Sequence, residues 1–316
     1  MPALPFPPRP RHTLLGRSIR VAVLVGVIAS IGFPRARAAE PPDRVVDGLQ
    51  VLYTFEALVK GVFPDRAGVG EGIDLRIDKP LGVRFQAGRM GLDGPVVIAS
   101  EGPAKRLTQA LRQAQQLALE VWITPAEGEQ TGPARIVSLS LDTSKRSLSL
   151  VQEKGRFELR LRTSTTSDNG TPATPTPDGT AVHRPTHLVA TRTPDGVVRL
   201  SLDGKEVATN TVAGDMNRWP DDCRLVVGNE VSGDRPWRGE IALVALYARA
   251  LSADEIAQNF AAGPPQIEEA AALPPGHPQQ VDVVGALIPF LSGCCFNGSA
   301  GEGAAAGRAI MAAHEE

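Results

Sequence analysis

The residues of this chain that are best suited to ligand chemistry lie close together, between positions 215 and 237. An indole offers a flat apolar face on which a sugar ring can stack, while amide, carboxylate and guanidinium groups supply directed hydrogen bonds. We therefore predict a ligand-binding site in this region. Its members are Asp215, Asn217, Trp219, Asn229, Glu230, Asp234, Arg235 and Trp237. The alternative is structural, because the same residue types also stabilise turns, with Trp237 packed under a sheet and Asp234 paired with Arg235.

The same region carries oxygen atoms of the kind that calcium prefers. Calcium binds six to eight such atoms. Candidate oxygen donors are Asp215, Asn217, Asp221 and Asp222, or Asn229 together with Asp234. None of these spacings matches an EF-hand loop, so calcium stays open as a cofactor and no metal ligand is assigned. The three cysteines contain no Cys-x-x-Cys pair, which argues against a thiolate zinc site.

Two Asp-Gly pairs, Asp195-Gly196 and Asp203-Gly204, separate runs of alternating apolar and polar residues. Asp-Gly favours type I′ hairpin turns, because both central residues of that turn need a positive φ. The two pairs predict a three-stranded antiparallel meander between residues 187 and 208. His187 opens its first strand and is expected to be a partly buried side chain that anchors the strand.

Further alternating runs, separated by turns that contain Gly and Pro, predict half-buried strands. They lie at residues 48–56, 74–77, 83–85, 119–123, 134–139, 147–151 and 156–162, and an apolar strand is predicted at 242–247. Helical spacing of Leu and Ala predicts one amphipathic helix within 104–120, and Ser252 with Glu255 matches a capping box at the start of a second short helix. Residues 163–180 hold hardly any apolar side chains and predict a long exposed loop.

These patterns predict an all-β fold, an antiparallel two-sheet sandwich with one or two short helices and disordered termini. We assign one domain to residues 45–263. Residues 264–316, rich in Pro, Ala and Gly, are predicted to form a linker and a low-complexity tail. The net charge of −2 gives no argument for nucleic acid as a partner.

The N-terminus has the pattern of a signal peptide at residues 1–38. Four arginines precede an apolar run at 21–33, and Ala36-Arg37-Ala38 supplies a small-x-small cleavage site. The run is short for a bilayer span, so no stable membrane span is expected after cleavage; an uncleaved anchor is the alternative. We predict an exported protein (periplasmic, cell surface or extracellular) that begins at Ala39.

The order of the predicted elements, closing with residues 250–256, resembles the laminin-G-like domains of the concanavalin A-like lectin/glucanase superfamily. Several local runs are similar to a bacterial exported type of that family and occur in family order: 119–125, 132–140, 160–163, 187–191, 228–230 and 233–237. The resemblance covers residues 45–263. It implies a jelly-roll sandwich of two antiparallel sheets and a module that binds a glycan or a protein ligand.

In some exported proteins of this type a cytochrome-like segment follows the laminin-G-like domain. Residues 281–298 are loosely similar to such a segment, but the second cysteine and the histidine of a Cys-x-x-Cys-His haem site are missing. The resemblance therefore implies a decayed or truncated copy, without covalent haem.

Glucanases of this superfamily use a Glu-x-Asp-x-Glu strand, because the period of two places the carboxylates on one sheet face. This chain lacks the motif, and Glu71, Asp74 and Asp78 have the wrong spacing for it. We therefore predict that the protein is not an enzyme but an exported binding module for carbohydrate or protein recognition in adhesion. One alternative is a structural scaffold or docking domain for exported enzymes or electron carriers. The other, ranked last, is a glycan-cleaving hydrolase.

Overall fold

The computed structural model describes residues 43–264, with the exception of 57 and 60. The predicted signal peptide, and the tail beyond residue 264, lie outside the described residues. The strands are β1 (Leu49–Thr54), β2 (Val62–Phe63), β3 (Leu75–Ile77), β4 (Val83–Gln86), β5 (Arg89–Leu92), β6 (Ile98–Ser100), β7 (Leu117–Pro125), β8 (Gln130–Ser140), β9 (Arg146–Lys154), β10 (Arg156–Leu161), β11 (Thr174–Pro175), β12 (Thr186–Arg192), β13 (Val197–Leu202), β14 (Lys205–Thr211), β15 (Arg224–Val227) and β16 (Gly239–Tyr247). The helices are α1 (Lys105–Ala114) and α2 (Ala253–Ala262), with a 3₁₀ turn at Pro80–Gly82.

The described strands form two antiparallel sheets of eight strands each, which confirms the predicted all-β sandwich. The first sheet has the order β14-β13-β12-β7-β16-β5-β4, and β1 adds to it by pairing with β16. The second sheet has the order β11-β10-β9-β8-β15-β6-β3-β2. Strands that are distant in sequence are neighbours in both sheets, consistent with a jelly roll.

Between the sheets, alternate residues of most strands form the main hydrophobic core. In β7, for example, Leu119 and Val121 point into this core, whereas Ala118 and Trp122 belong to a second apolar cluster on the opposite face of the same strand. That second cluster contains Ile256 of α2 and Val45 of the segment before β1. β7 is therefore buried on both faces, and the prediction of a half-buried strand was wrong there, because alternation does not reveal that a helix covers the outer face.

The meander is confirmed as β12-β13-β14, but its two turns differ. Asp203 and Gly204 have φ values of 50° and 78°, as a type I′ turn requires. At the other turn Gly196 has a positive φ of 89° and Asp195 does not, while the amide of Gly196 donates to the carbonyl of Thr193. The type I′ prediction was wrong at this turn, because the loop is one residue longer than the pattern suggested.

The helices follow their predicted signals with one correction. At α2 the Ser252 hydroxyl accepts from the Glu255 amide and the Glu255 carboxylate accepts from the Ser252 amide, so the capping box is confirmed. The predicted helix at 104–120 is shorter, because Gln115 adopts a left-handed conformation with φ 55° and β7 begins two residues later. Neither helix of the described part is long and apolar enough to cross a membrane.

The segment 163–180, predicted to be a long exposed loop, is held closely against the second sheet. Thr174 and Pro175 pair with Leu159 and Glu158 of β10. A Cβ atom added at Gly170, where φ is 68°, would lie 2.6 Å from the Leu161 amide nitrogen. Threonine hydroxyls, which the sequence presents as polar loop residues, satisfy backbone groups here and make the segment part of the folded unit.

Candidate functional site

The two tryptophans of the predicted site lie in the main core. Trp219 and Trp237 are 1% and 0% exposed, so neither indole offers a face to a ligand. The Nε1 of Trp219 donates to the Arg162 carbonyl at 2.7 Å, and that of Trp237 donates to Oε1 of Gln152 at 2.9 Å. The structural alternative therefore holds for both residues, because a buried indole with a satisfied N–H is a core side chain.

Asn229 and Glu230 are also completely buried, and both stabilise the turn that follows β15. The side-chain oxygen of Asn229 accepts from the amides of Glu230 and Arg235 at 2.8 and 2.9 Å, while its Nδ2 donates to the Val96 carbonyl. The Glu230 carboxylate accepts from the guanidinium of Arg135 at 3.4 Å and from the Ser140 hydroxyl. These two residues therefore fix the conformation of the turn that contains Asp234 and Arg235 and do not themselves face a ligand.

Asp234 and Arg235 line an open cavity of about 430 Å³, which we call the loop cleft. Its walls are the loops at residues 93–95 and 234–238 and the first residues of β8, at 130–134. The Asp234 carboxylate is exposed and accepts from the Ser232 hydroxyl at 2.5 Å. The Nε of Arg235 is buried and has no hydrogen-bond partner. The guanidinium of Arg235 and the carboxylate of Asp234 thus give the loop cleft one cationic donor and one anionic acceptor.

Hydrogen bonds from a side chain connect two walls of the loop cleft. Gln130 donates to the Arg238 carbonyl at 2.6 Å and accepts from the Arg238 amide at 2.9 Å. The other charged groups of the walls already have partners: Asp93 pairs with Arg84, and Arg238 pairs with Glu127 at 2.6 Å. Asp234 and Arg235 are therefore the groups left for a ligand.

Sequence reasoning missed the first two walls of this cleft. Asp93 and Thr131 are separated from Asp234 by more than a hundred positions in the chain, and no local motif joins them. The run of turn-forming residues Asp93-Gly94-Pro95 was a usable signal for a loop at the end of a strand. Its placement beside Asp234 depends on the pairing of β5 with β16.

The remaining predicted residues, Asp215 and Asn217, lie in another turn and do not line the loop cleft. The Asp215 carboxylate accepts from the Asn217 amide at 2.9 Å, and this hydrogen bond holds the pKa of Asp215 below its usual range. The amide oxygen of Asn217 accepts from Gln115 at 3.0 Å. The structure thus separates the eight residues into buried supports, the pair at the loop cleft and a distant turn.

Two of the candidate calcium donors are already bound within the protein. Asp221 is bound by Arg112 at 2.9 Å, and both acceptor interactions of the Asn229 oxygen are with backbone amides. Within residues 43–264 the structure shows no group of three or more His, Cys, Asp or Glu side chains that could hold a metal ion. Oxygen atoms already occupied by protein donors are poor calcium ligands, so no step of the function is derived through calcium.

A second open cavity, of about 560 Å³, lies between the β2–β3 region and the start of α1. Glu71 and Asp74, the acidic residues whose spacing failed the glucanase pattern, both line it. Asp74 accepts from the Asp65 amide at 3.0 Å, and Arg106 is paired with Asp65 at 3.1 Å. Asp74 and Arg106 are therefore already engaged by groups of the protein.

His187 is buried, as a strand-anchoring role requires, and belongs to a polar network beneath α2 that the sequence did not reveal. We call this the Glu120 network, which contains Arg44, Glu120, His187, Tyr247 and Asn259. The Glu120 carboxylate accepts from His187 Nε2 at 2.9 Å, from Asn259 at 2.8 Å, from the Tyr247 hydroxyl at 3.2 Å and from Arg44. The network joins the segment before β1 and α2 to the outer face of the first sheet.

The fold and the sequence place the chain among known proteins. A laminin-G family model, of the concanavalin A-like lectin/glucanases superfamily, matches residues 100–257, half of the 316 residues. No curated protein matches the sequence.

Among solved structures, Trypanosoma rangeli sialidase in complex with sialic acid is similar at 19% identity and a TM-score of 0.50, over 67% of this chain and 32% of that chain. A structure of botulinum neurotoxin type C, whose cell entry depends on interaction with two ganglioside molecules, is similar at 13% identity and a TM-score of 0.50, over 68% and 51%. The binding domain of botulinum neurotoxin DC in complex with rat synaptotagmin II is similar at 14% identity and a TM-score of 0.51, over 68% and 52%. The chain thus spans about a third of the sialidase and about half of each toxin chain.

The sialidase structures correct one expectation. The prediction that the protein is not an enzyme was wrong, because this fold also occurs within the chain of an enzyme. The missing Glu-x-Asp-x-Glu motif argues only against the catalytic arrangement of the glucanases. One fold can carry many different sites, so the motif says nothing about other reactions. At these identities the likenesses show the fold alone. Taken with the family model and the two-sheet architecture, the chain belongs to the concanavalin A-like lectin/glucanase superfamily, as a laminin-G-like domain.

Proposed function

We propose that this domain binds a glycan in the loop cleft. The observation that carries the proposal is a cavity lined by both Asp234 and Arg235, neither of which forms an ion pair among the described residues. Vicinal hydroxyls of a sugar can donate one hydrogen bond and accept another, so they complement this pair.

The ligand would be held mainly by hydrogen bonds. All three tryptophans and both tyrosines are buried, so the stacking platform that the sequence suggested is not offered by them. The cleft itself is lined by polar, Gly and Pro residues and has no aromatic wall. Since a pocket of about 300 Å³ or more accommodates a small ligand, the volume of the loop cleft suits one or two sugar rings.

A protein partner is the second candidate, and the outer face of the second sheet supports it. That face carries the partly exposed Arg156 and Arg160 along β10, in place of a row of aromatic side chains. A polar face of this kind suits docking better than sugar stacking. Such docking would agree with the scaffold role for exported enzymes or electron carriers.

The test of glycan binding is a substitution in the loop cleft. We expect Asp234→Asn to weaken binding of the strongest glycan-array ligand about tenfold, because a hydrogen bond to a charged group contributes about 1.5–3 kcal/mol. Isothermal titration with the full chain measures the change. Asp254→Asn, the same substitution at an exposed position of α2, is the control and should bind like the wild type. A blank array together with recovery of one specific protein partner would favour docking instead.

Export remains a proposal that rests on residues 1–38 alone. We expect the protein produced in a bacterial host with a secretory pathway to appear outside the cytoplasm with Ala39 as its first residue. N-terminal sequencing of the fractionated protein measures this. Replacing Ala36 and Ala38 by bulky residues should block the cleavage, because signal peptidases need small residues there. An intact N-terminus in a membrane fraction would support an uncleaved anchor.

A further inference from the structure

A further open cavity, of about 500 Å³, lies on the outer face of the first sheet, and we call it the α2 cavity. Its floor is formed by β12, β13 and the start of β14, and its wall is the first half of α2 with the residues just before that helix. It shares no lining residue with the loop cleft. The α2 cavity is therefore a separate place on the domain.

Strand alternation explains why hydroxyl groups reach the floor of the α2 cavity. Ala190 of β12 and Leu200 of β13 belong to the main core, so their neighbours Thr191 and Ser201 point to the opposite face, toward α2. Thr191 pairs with Arg199, two residues before Ser201, which makes Thr191 and Ser201 diagonal neighbours about 7–8 Å apart. The floor thus presents two hydroxyls on adjacent strands.

These two hydroxyls are free. Thr191 and Ser201 are only 2% and 4% exposed, yet among the described residues neither hydroxyl oxygen forms a hydrogen bond and neither is fully enclosed. The other two hydroxyls that line the cavity, those of Thr193 and Ser252, already bond to backbone groups. Because buried polar groups normally have a partner, the hydroxyls of Thr191 and Ser201 are the groups that the α2 cavity offers to a ligand.

The charged groups of the α2 cavity are paired with one another. Arg199 forms an ion pair with Glu206 at 3.4 Å, and Arg249 forms one with Glu255 at 2.6 Å. No other charged residue lines the cavity, so its lining carries no net charge. In the loop cleft, by contrast, a carboxylate and a guanidinium remain without an ion pair. The α2 cavity therefore suits an uncharged ligand.

The cavity also has apolar surfaces. Leu251 and Ile256, each 5% exposed, contribute aliphatic groups to its wall. At its other end a Cβ atom added at Gly204 would lie 3.3 Å from Cδ1 of Phe260, whose side chain is 37% exposed. A partly exposed aromatic ring therefore adjoins the cavity, which combines free neutral hydroxyls with apolar contacts.

We propose that the α2 cavity is a second binding site and that it takes an uncharged sugar. Sugar hydroxyls donate and accept hydrogen bonds, as the hydroxyls of Thr191 and Ser201 do, and the C–H groups of the ring match the apolar wall. The volume is within the range of small-ligand pockets. The site is independent of the loop cleft, so either site can exist without the other.

An extended peptide fits the α2 cavity less well. Every residue of a peptide brings an N–H and a C=O group that need partners when they are buried. The floor consists of strand faces, whose backbone groups are paired within β12, β13 and β14. Two hydroxyls would have to satisfy the whole peptide backbone, whereas a single sugar ring places far fewer polar groups in the cavity.

The experiment is a titration of the isotope-labelled full chain with the methyl glycosides of glucose, galactose and mannose, followed through the amide signals in NMR spectra. We expect saturable shifts at Ser201, Gly204 and Ile256 with at least one glycoside. Thr191→Val and Ser201→Ala should each weaken that binding about two- to tenfold, because one neutral hydrogen bond is lost. Thr54→Val removes a hydroxyl without a partner on β1, outside the cavity, and is the matched control that should bind like the wild type.

A second variant blocks the cavity instead of removing a hydrogen bond. Ala253 is exposed at the start of α2 and lines the cavity, so Ala253→Trp should fill it and abolish binding while the domain stays folded. Circular dichroism verifies the fold of each variant. Absence of shifts at the α2 cavity with all three glycosides, or wild-type affinity in both Thr191→Val and Ala253→Trp, would overturn the proposal. Shifts caused only by a capped tetra-alanine peptide would identify a peptide site and overturn it as well.

The location of the shifts separates this site from the loop cleft. Shifts at Ser201 and Ile256 that persist in Asp234→Asn establish the α2 cavity as a sugar site even where the loop cleft binds nothing. Shifts confined to the neighbourhood of Asp234 would leave glycan binding in the loop cleft standing and refute the second site.

Discussion

Replacing Glu120 by alanine is expected to lower the free energy of unfolding by about 3–5 kcal/mol, the usual cost of removing one partner of a buried ionic group. The Glu120 carboxylate is completely buried and accepts hydrogen bonds from Arg44, His187, Tyr247 and Asn259. Its removal leaves these donors without their acceptor beneath α2. Chemical denaturation of the variant and of the wild type measures the difference.

The same carboxylate predicts a pH dependence. Burial would raise the pKa of Glu120, but the hydrogen bond from His187 and the charge of Arg44 outweigh it, and the net pKa is lowered. A carboxyl whose native pKa is depressed stabilises the fold above its unfolded-state pKa of about 4.3, and that contribution is lost as the pH falls through the native pKa. The stability difference between the wild type and Glu120→Gln should therefore be largest near neutral pH and shrink in acid.

The matched control for Glu120 is Glu206, which forms an ion pair with Arg199 at 3.4 Å on an exposed strand. Glu206→Ala should change stability by about 1 kcal/mol or less, since exposed pairs contribute little. Equal losses in the two variants, or a difference for Glu120→Gln that does not depend on pH, would show that the network contributes no special stability.

Replacing Trp237 by alanine is expected to cost about 3–5 kcal/mol of stability, because it empties a large core site and removes one of the two donors to Oε1 of Gln152. The ring also packs closely against the chain: a Cβ atom at Gly239 would lie 2.4 Å from the indole. Thermal or chemical unfolding measures the loss. Trp237→Phe should lose less, because it retains most of the apolar volume.

A binding measurement decides between the two interpretations of Trp237. The folded Trp237→Phe variant should bind the glycan-array ligand as the wild type does, whereas Asp234→Asn should lose affinity at nearly unchanged stability. The reverse pattern, with wild-type stability and lost binding in Trp237→Phe, would return this residue to the ligand site that the sequence suggested.

Features that depend on neighbours along the chain could be predicted from the sequence. Alternation located the strands of the meander, and Asp203-Gly204 forms the predicted turn because its chemistry favours positive φ. The capping box at Ser252 was equally local. The type of the turn at Asp195-Gly196 and the end of α1 were predicted wrongly, since a single positive φ at Gly196 or Gln115 changes a loop length without changing the pattern.

Features that depend on contacts between distant segments were decided by the tertiary structure. Alternation shows which residues of β7 share a face, but not that α2 and Arg44 would cover the face that bears Glu120. The same limit explains the buried Trp237, because an indole in a turn suits a core and a rim equally well. The sequence determined that this chain forms an antiparallel sandwich with Asp234 and Arg235 in a turn. Their exposure in a cleft depended on strand pairing, which short-range periodicity does not encode.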